Sequence, residues 1–349
     1  MNRGTGNREQ GTGGDAPSVP ALFLVTRSLF PLLVLLACAA PPPDGPTTRV
    51  TIPPGSSFSA VTDTLEASGA LNSPRWFRLL ARLRGLDRRV QAGIFDLPAH
   101  TDSWHLLSAL KAGRVATVKF TVPEGLSLLQ LTDLVQQRLE LAPVDFLAAA
   151  RDTATRRRED VTATSLEGML LPETYHLPLP LSAPALVDAM LREFNRRWLP
   201  AWSRRLDSLG MTRLELLTLA SIVEGEAVHD DERAVISGVY TNRLHRGMLL
   251  QADPTVQYAI ERATGERKTR LYFKDYEFRS PYNTYLHPGL PPGPVNSPGI
   301  RSIEAALYPE QVPWIYFVAL PDGHHRFSRT LQEHTRAIGE IRRHRSLVR

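Results

Sequence analysis

The chain has 349 residues, of which 42% are hydrophobic and 22% charged, and this is the composition of an ordinary folded protein. Its length accommodates two or three domains and a sizeable core. The net charge is only +5, and lysine and arginine are spread along the chain without forming a basic stripe, so no nucleic-acid partner is predicted. The single cysteine, Cys38, excludes an intrachain disulfide.

The N-terminus begins with a polar, glycine-rich tail, residues 1–20, which we expect to be disordered. An apolar segment follows over residues 21–40. It is just long enough to span a bilayer, but Arg27 and Pro31 interrupt it.

From Leu29 onward the apolar run has about 12 residues and follows an arginine, which is typical of the central region of a signal peptide. Cys38 ends this run in the sequence L-L-A-C-A, which resembles a bacterial lipoprotein cleavage box. We expect residues 21–47 to be a signal or membrane-anchor segment with a linker. Attachment through a lipid on Cys38 and attachment through a single membrane span both remain open.

A repeat follows the anchor. Residues 50–63, V-T-I-P-P-G-S-S-F-S-A-V-T-D, align without gaps with residues 120–133, F-T-V-P-E-G-L-S-L-L-Q-L-T-D. In each copy a β-branched strand ends at a proline, a glycine makes the turn, and a serine precedes an amphipathic helix. The sequence therefore predicts the same strand–turn–helix unit twice.

Between the two copies the sequence predicts a helix in P-R-W-F-R-L-L-A-R-L, a strand in A-G-I-F-D-L-P, and a further helix that ends at Gly113. Residues 48–115 are thus predicted to form a small α+β module of the size and order of a LysM-like domain. A simple spacer domain is the alternative. Residues 116–164 are interpreted as the second strand–turn–helix unit followed by a charged, helical connecting region.

The second half, residues 165–345, is predicted to be a mixed α/β domain, which makes the whole chain α+β. Its helices are expected over residues 185–198, 213–227 and 230–244, and a buried strand over residues 314–320. The intervening loops combine Asn, Gln, Tyr, Ser and Thr with rigid Pro and Gly. Such loops suit a cleft that grips a polyhydroxylated substrate, although they are also ordinary loop compositions.

Two carboxylates end the helix L-A-S-I-V-E-G-E-A, residues 219–227. Positions two apart on a helix point about 200° away from each other, so Glu224 and Glu226 do not line one cleft together. Glu226 falls among apolar positions, where the pKa of a carboxyl rises and the group can act as a general acid. Glu224 falls in the polar sector and is assigned a supporting role. The alternative is that Glu226 marks the exposed end of the helix.

Several blocks of the second half together resemble the signature of one enzyme family. These blocks are S-I-V-E-G-E-A, V-Y-T-N-R-L, G-M-L-L-Q-A-D-P-T-V-Q-Y, S-P-Y-N-T-Y, G-L-P-P-G-P-V-N-S-P-G and G-H-H-R-F-S-R-T. In order and spacing, over residues 48–340, the chain is similar to the endolytic murein transglycosylases (the MltG/YceG-like family). The resemblance implies an enzyme anchored on the inner membrane, with its catalytic domain, residues 165–345, in the periplasm. A LysM-like module precedes that domain in the chain. Its implied task is to cut nascent peptidoglycan strands internally and so end their elongation, beside the peptidoglycan synthases.

The family's catalytic acid is the second Glu of the I-V-E-x-E block, which corresponds to Glu226 here. The candidates for holding the sugars are Gln251, Asp253, Tyr282, Asn283, Tyr285 and Asn242. Asp253-Pro254 is equally compatible with a helix N-cap followed by proline in the first turn. The chain departs from the family pattern at Gly225, where a lysine is common, and at Met169, which replaces an aromatic residue.

The implied reaction is a lytic transglycosylation, which needs one carboxyl rather than the two of most glycosidases. No cofactor is expected, and the ten histidines show no metal-ligand spacing, so no metal is predicted. An ordinary hydrolase with Asp253 or Glu173 as the second carboxylate is the rival enzyme. A non-catalytic protein that binds the cell wall is the rival of a different class.

Overall fold

The computed structural model describes residues 47–53, 55–86, 90–98, 102–111 and 115–347. The predicted disordered tail and nearly all of the anchor segment, including Cys38, lie outside these residues. No helix within the described ranges is long and apolar enough to cross a membrane. The described strands are β1 (Thr47–Ile52), β2 (Gly93–Pro98), β3 (Thr117–Thr121), β4 (Thr174–Pro178), β5 (Tyr316–Ala319) and β6 (His325–Ser328).

Helices make up most of the described chain. They are α1 (Phe58–Ala67), α2 (Pro74–Leu83), α3 (Ser103–Lys111), α4 (Leu128–Leu139), α5 (Pro143–Arg151), α6 (Thr153–Arg158), α7 (Ala183–Arg197), α8 (Pro200–Leu209), α9 (Arg213–Glu226), α10 (Arg233–His245), α11 (Asp253–Thr264), α12 (Ile300–Leu307) and α13 (Leu331–Leu347). Two short 3-10 helices, Asp230–Glu232 and Phe273–Glu277, lie in the connections.

The described residues divide into two compact units. The first lies within Met1–Gln91 and Asp96–Arg114, and the second within Ala92–Phe95 and Val115–Arg349. In the first unit the elements follow the order β1, α1, α2, the last part of β2 from Asp96 onward, and α3, and Arg49 of β1 forms an ion pair of 2.8 Å with Asp96. Phe77 is fully buried and stacks on Phe58, with 5.7 Å between the ring centroids. The LysM-like identity of this unit stays a prediction.

The two copies of the repeat have the same local structure. Each has a strand, a turn whose glycine (Gly55 or Gly125) has φ of +78°, and a helix. That φ is strained for any residue with a Cβ, so glycine is the residue that fits both turns. Ser57 and Ser127 cap the two helices by accepting a backbone N–H three residues later.

In the second unit the core surrounds α9. Eight consecutive residues of this helix, from Leu216 to Val223, are buried, which is the pattern of a helix enclosed on all sides. Helices α10, α11 and α12 pack around it. The second strand–turn–helix unit and the connecting region that follows it also contribute to this core, since Phe120 of the former and Phe146 of the latter are fully buried in the same cluster.

The sheet content of the second unit differs from the predicted mixed α/β arrangement. Within its described residues the strands form two antiparallel pairs, β3 with β4 and β5 with β6, so this unit is predominantly helical and α+β. The strand expected over residues 314–320 exists as β5, but its residues are half-buried or exposed rather than buried. A strand paired on one side only, at the edge of a helical core, does not require two apolar faces.

Candidate active site

Helix α9 carries both glutamates on its last turn. A capping box between Thr212 and Glu215 fixes its first turn, and the backbone N–H of Ala227 closes its last turn on the carbonyl of Val223. Because the helix is regular to its end, the two carboxylates point to different neighbours, as the helical geometry predicts.

Glu226 is half-buried and contacts a phenol. The hydroxyl of Tyr240, on α10, donates a hydrogen bond of 2.8 Å to Oε1 of Glu226. Tyr240 itself is 1% exposed, and its ring packs edge-on against Phe317 of β5. The backbone N–H of Asp253, at the start of α11, also donates to the Glu226 carboxylate. Three elements therefore fix the position of this group, and it does not protrude freely from the helix end.

Burial raises the pKa of Glu226 to about 7, and the negative charge of Asp253 adds to this rise. The Tyr240 hydrogen bond and the positive charge of Arg243 lower the pKa, but they do not outweigh burial. A large fraction of the carboxyl is therefore protonated at neutral pH. A pKa close to the working pH is what general acid and base catalysis requires.

Two tyrosines hold Asp253. Its Oδ1 accepts a hydrogen bond of 2.7 Å from the hydroxyl of Tyr285, and its Oδ2 accepts one of 3.5 Å from Tyr276. The N-cap position of α11 is Ala252, and Asp253 is the first helical residue with Pro254 in the first turn. The interpretation of Asp253 as the N-cap is therefore wrong, whereas proline in the first turn is confirmed.

Gly225 allows α11 to approach α9. A Cβ atom at Gly225 would lie 2.6 Å from Cγ of Pro254, which is closer than real Cβ contacts allow. The residue next to Pro254 is Asp253, so this approach also brings the second carboxylate toward Glu226. The close approach gives a structural reason for glycine at this position of the chain.

Gln251 lies two residues before Asp253 and has a left-handed backbone with φ of +50°. Its N–H donates to the carbonyl of Thr284, and its side chain is exposed. A non-glycine residue in this region of φ is uncommon, and such residues cluster at functional sites.

Asn283 and Asn242 use their amides inside the protein. The Nδ2 of Asn283 donates to the carbonyls of Tyr276 and Phe278, and its Oδ1 accepts the N–H of Tyr285. Asn283 thus positions both tyrosines that bind Asp253. The Nδ2 of Asn242 donates to two backbone carbonyls of the segment before β5, at 2.7 and 3.0 Å.

Tyr282 is 8% exposed, and its described ring contacts are with Tyr258 and Arg262. Its ring centroid is 4.9 Å from that of Tyr258, and the guanidinium of Arg262 lies over its face. Glu173, the other candidate for a second carboxylate, forms an ion pair of 2.5 Å with Arg197.

Glu224 is surrounded by donors. It forms an ion pair of 3.1 Å with Arg233 and accepts hydrogen bonds from the N–H of Gly299 and the hydroxyl of Ser302. These contacts connect the end of α9 to the start of α12 and to α10. This is the arrangement expected of a carboxylate that supports the scaffold.

Sequence reasoning missed Tyr240, Tyr276 and Arg233. Tyr240 lies in the V-Y-T-N-R-L block of a predicted helix, and the available signal was that a tyrosine buried in such a helix needs a hydrogen-bond partner for its hydroxyl. A buried arginine likewise requires a carboxylate, which for Arg233 is Glu224.

Among the residues the structure describes, no group of three or more His, Cys, Asp or Glu side chains is arranged to hold a metal ion.

Comparisons with known proteins identify relatives of this chain. The chain is 32% identical to the endolytic murein transglycosylase of Bacillus subtilis (strain 168), with 83% of the chain and 84% of that protein covered. It is 29% identical to the endolytic murein transglycosylase of Streptococcus pneumoniae serotype 2 (strain D39), with 83% of the chain but only 58% of that longer protein covered.

The fold has a solved counterpart. A crystal structure of a putative YceG-like protein from Listeria monocytogenes matches with a TM-score of 0.58 and 32% identity, over 83% of this chain and 98% of that one. A model of the YceG-like family matches residues 50–340, which is most of the chain. The chain therefore belongs to the YceG-like family.

Proposed function

We propose that this protein is an endolytic peptidoglycan lytic transglycosylase, and that Glu226 is its catalytic acid and base. The observation that carries the proposal is a half-buried carboxyl whose pKa burial raises to about 7, with a phenol hydrogen-bonded to one of its two oxygens. The names of the Bacillus and Streptococcus relatives support the substrate class.

The first step is protonation of the leaving group. Tyr240 donates to Oε1 of Glu226, and the protonated carboxyl is the acid of this step. Glu226 gives this proton to the oxygen of the β-1,4 bond between N-acetylmuramic acid and N-acetylglucosamine, and the bond between C1 and that oxygen breaks. The Tyr240 hydrogen bond then stabilises the carboxylate that forms.

The second step closes a ring on the muramyl sugar. Glu226, now a carboxylate, accepts the proton of the C6 hydroxyl while the C6 oxygen attacks C1, which gives a 1,6-anhydro end. The enzyme returns to its protonated state, and no water is consumed. One carboxyl therefore serves both steps, in contrast to the paired carboxylates of hydrolytic glycosidases.

Asp253 supplies a negative charge beside the reaction centre. Its carboxylate is held by Tyr285 and Tyr276, and it interacts electrostatically with Glu226. Positive charge develops on the sugar ring as the glycosidic bond breaks, and a fixed anion stabilises such charge. Gln251 precedes Asp253 by two residues, and its side chain is exposed on a left-handed backbone. It is therefore available to bind an amide or a hydroxyl of the sugar.

The cellular setting follows from the N-terminal sequence. The segment 21–47 holds the protein on the inner membrane, by a lipid on Cys38 or by a single span, with the catalytic domain in the periplasm. In this position the enzyme cleaves nascent glycan strands near the synthases that extend them, and so terminates elongation.

Replacement of Glu226 by Gln tests the proposal. Loss of the acid and base should reduce cleavage of purified glycan strands by roughly 10²- to 10⁴-fold. The matched control is Glu304→Gln, an exposed glutamate on α12, which should cleave like the wild type. Mass analysis of wild-type products should find 1,6-anhydro ends.

Free reducing ends on muramic acid would instead indicate a hydrolase, in which Asp253 would serve as the second carboxylate. Unchanged cleavage by Glu226→Gln would remove Glu226 from the mechanism. Absence of any cleavage by the wild type would favour a wall-binding protein without catalytic activity.

A further inference from the structure

A second pocket lies in the same unit but is lined by none of the residues around Glu226. Its volume is about 420 Å³, which is within the usual range of ligand sites. Helices α4, α5 and α11 contribute to its wall, together with the segment that precedes Glu167. Glu167 belongs to the L-E-G block of the sequence, which the proposed reaction does not use.

The floor of the pocket is the polar side chain of Glu167, which forms no ion pair with any described residue. Glu167 is 7% exposed, accepts the N–H of Leu128 at 2.9 Å, and accepts the hydroxyl of Tyr258 at 3.0 Å. Burial, more than any other influence, raises its pKa to about 8, so this carboxyl is mostly neutral at pH 7. Glu261, whose charge also acts on Glu167, forms an ion pair of 3.1 Å with Arg267.

Two arginines on the pocket wall have no carboxylate partner within the described part of the chain. Arg262 is exposed on α11, and its guanidinium lies 5.1 Å from the ring centroid of Tyr282 and 5.9 Å from that of Tyr258. Arg151 is exposed at the end of α5. Two positive charges therefore flank a neutral floor that also offers the hydroxyls of Ser165 and Thr164.

We propose that this pocket binds a free carboxylate of the peptide that peptidoglycan strands carry, with Arg151 and Arg262 as its charged ligands. Guanidinium groups bind carboxylates through strong, charge-assisted hydrogen bonds, and an arginine held against aromatic rings is already oriented to do so. The sugars of an intact strand are uncharged, so the carboxylates of the peptide are the anions that the pocket can select.

The position of the pocket suits this ligand. Arg262 lies nine residues after Asp253 on the same helix, which places it about 13 Å further along the helix axis at 1.5 Å per residue. A strand whose glycosidic bond lies at Glu226 therefore presents its peptides at a short distance from the pocket. The inference rests on the proposed function, and it adds a specificity site to that function: strands with unmodified peptides should be preferred.

The test compares two substrates. One is a glycan strand with intact peptides, and the other is the same strand after chemical amidation of its peptide carboxylates. The wild type should cleave the first with a kcat/KM roughly fivefold higher, the scale of a partly exposed charge pair. Arg151→Gln and Arg262→Gln should each reduce this ratio, and the double variant should bring it to about one. Arg138→Gln, an exposed arginine on α4 that lies outside the pocket, should keep the wild-type ratio.

A separate measurement makes the outcome independent of catalysis. Calorimetry should detect binding of the free stem tetrapeptide to the wild type, and weaker binding to Arg151→Gln, whose guanidinium makes no described contact that folding requires. Equal cleavage of both substrates, or an unchanged ratio in the arginine variants, would contradict carboxylate binding in the pocket but leave the proposed reaction intact. Peptide binding without any strand cleavage would overturn the reaction and leave the pocket.

Discussion

Glu224 and Glu226 lie two residues apart on one helix, and their surroundings are opposite. Glu224 has a buried arginine, a hydroxyl and a backbone N–H as partners, and its side chain is only 7% exposed. Glu226 has a phenol and one backbone N–H, without a cation in direct contact. The difference teaches how one helix end serves two purposes: ion pairing makes a carboxylate part of the scaffold, while burial with few donors leaves a carboxyl that can exchange a proton.

The Glu224 side should respond to mutation through stability. Arg233 is 8% exposed and contacts Glu224, Asp230 and Ser302. In Arg233→Met, Glu224 stays buried without its cation, so the free energy of unfolding should fall by about 3–5 kcal/mol. Urea denaturation at pH 7 measures this change.

The double variant Glu224→Gln with Arg233→Met is the control for this prediction. It removes the uncompensated charge, so it should recover part of the lost stability. Glu224 also acts on a neighbouring carboxyl, because burial first and the negative charge of Glu224 second raise the pKa of Glu124. A loss below about 1 kcal/mol in Arg233→Met would indicate a solvated ion pair and would contradict the contrast between the two carboxylates.

Local sequence rules were sufficient to predict that the two glutamates have different surroundings. The 100° advance per residue separates Glu224 from Glu226, and the apolar neighbours of Glu226 predict its raised pKa. The repeat was also readable, because its proline, glycine and serine each have a specific role in a turn or helix cap.

The partners of each carboxylate were not readable, because they come from distant parts of the chain. Tyr240 and Arg233 meet α9 only after α10 folds back on it, and no local periodicity specifies that contact. Asn283 shows the same limit. Its role in holding a sugar stays a prediction, but in the structure both N–H groups of its amide donate to the carbonyls of Tyr276 and Phe278, and its Oδ1 accepts the N–H of Tyr285. The local sequence around a polar residue in a proline-rich loop is the same whether its side chain binds a substrate or hydrogen-bonds to the backbone of the loop.

The Glu226 side should show a conflict between activity and stability. The pKa of this carboxyl is about 7 in the folded protein and about 4.3 in an unfolded chain, so the folded state holds the proton more tightly. Its contribution to stability is therefore lost as the pH rises from about 4.5 to about 7. Glu226→Gln avoids this loss, and at pH 8 it should be more stable than the wild type by about 1–2 kcal/mol, a figure reduced for solvent screening of a half-buried group.

Thermal or urea unfolding at pH 4.5 and pH 8 measures this difference. The two proteins should have nearly the same stability at pH 4.5, where the wild-type carboxyl is protonated in the folded state and about 40% protonated in the unfolded one, because most of the loss occurs at higher pH. An advantage of the variant that is equal at both values of pH would come from packing and not from ionisation.

Tyr240→Phe should change the pH dependence of cleavage. The Tyr240 hydrogen bond lowers the pKa of Glu226, so its removal should raise that pKa by up to about one unit. The rate depends on the protonated acid, and the high-pH limb of kcat/KM should therefore move to higher pH. Tyr175→Phe is the matched control, because Tyr175 is buried and its hydroxyl donates to a backbone carbonyl in another part of the core. A limb that stays in place would mean that Tyr240 is structural only.

Asp253→Asn should move the same limb in the opposite direction, and by less. The charge of Asp253 raises the pKa of Glu226 less than the Tyr240 hydrogen bond lowers it, so its removal should shift the limb down by roughly half a unit. The carboxyl would then be less protonated at pH 7, which lowers kcat/KM at that pH about twofold, and the lost stabilisation of the positive charge on the sugar adds to this decrease. A hydrolase with Asp253 as the base for water would lose at least about 10²-fold at every pH. The pH profile and the size of the loss in this one variant therefore separate an electrostatic neighbour, whose removal shifts the limb and lowers the rate modestly, from a second catalytic carboxylate, whose removal costs at least about 10²-fold at every pH.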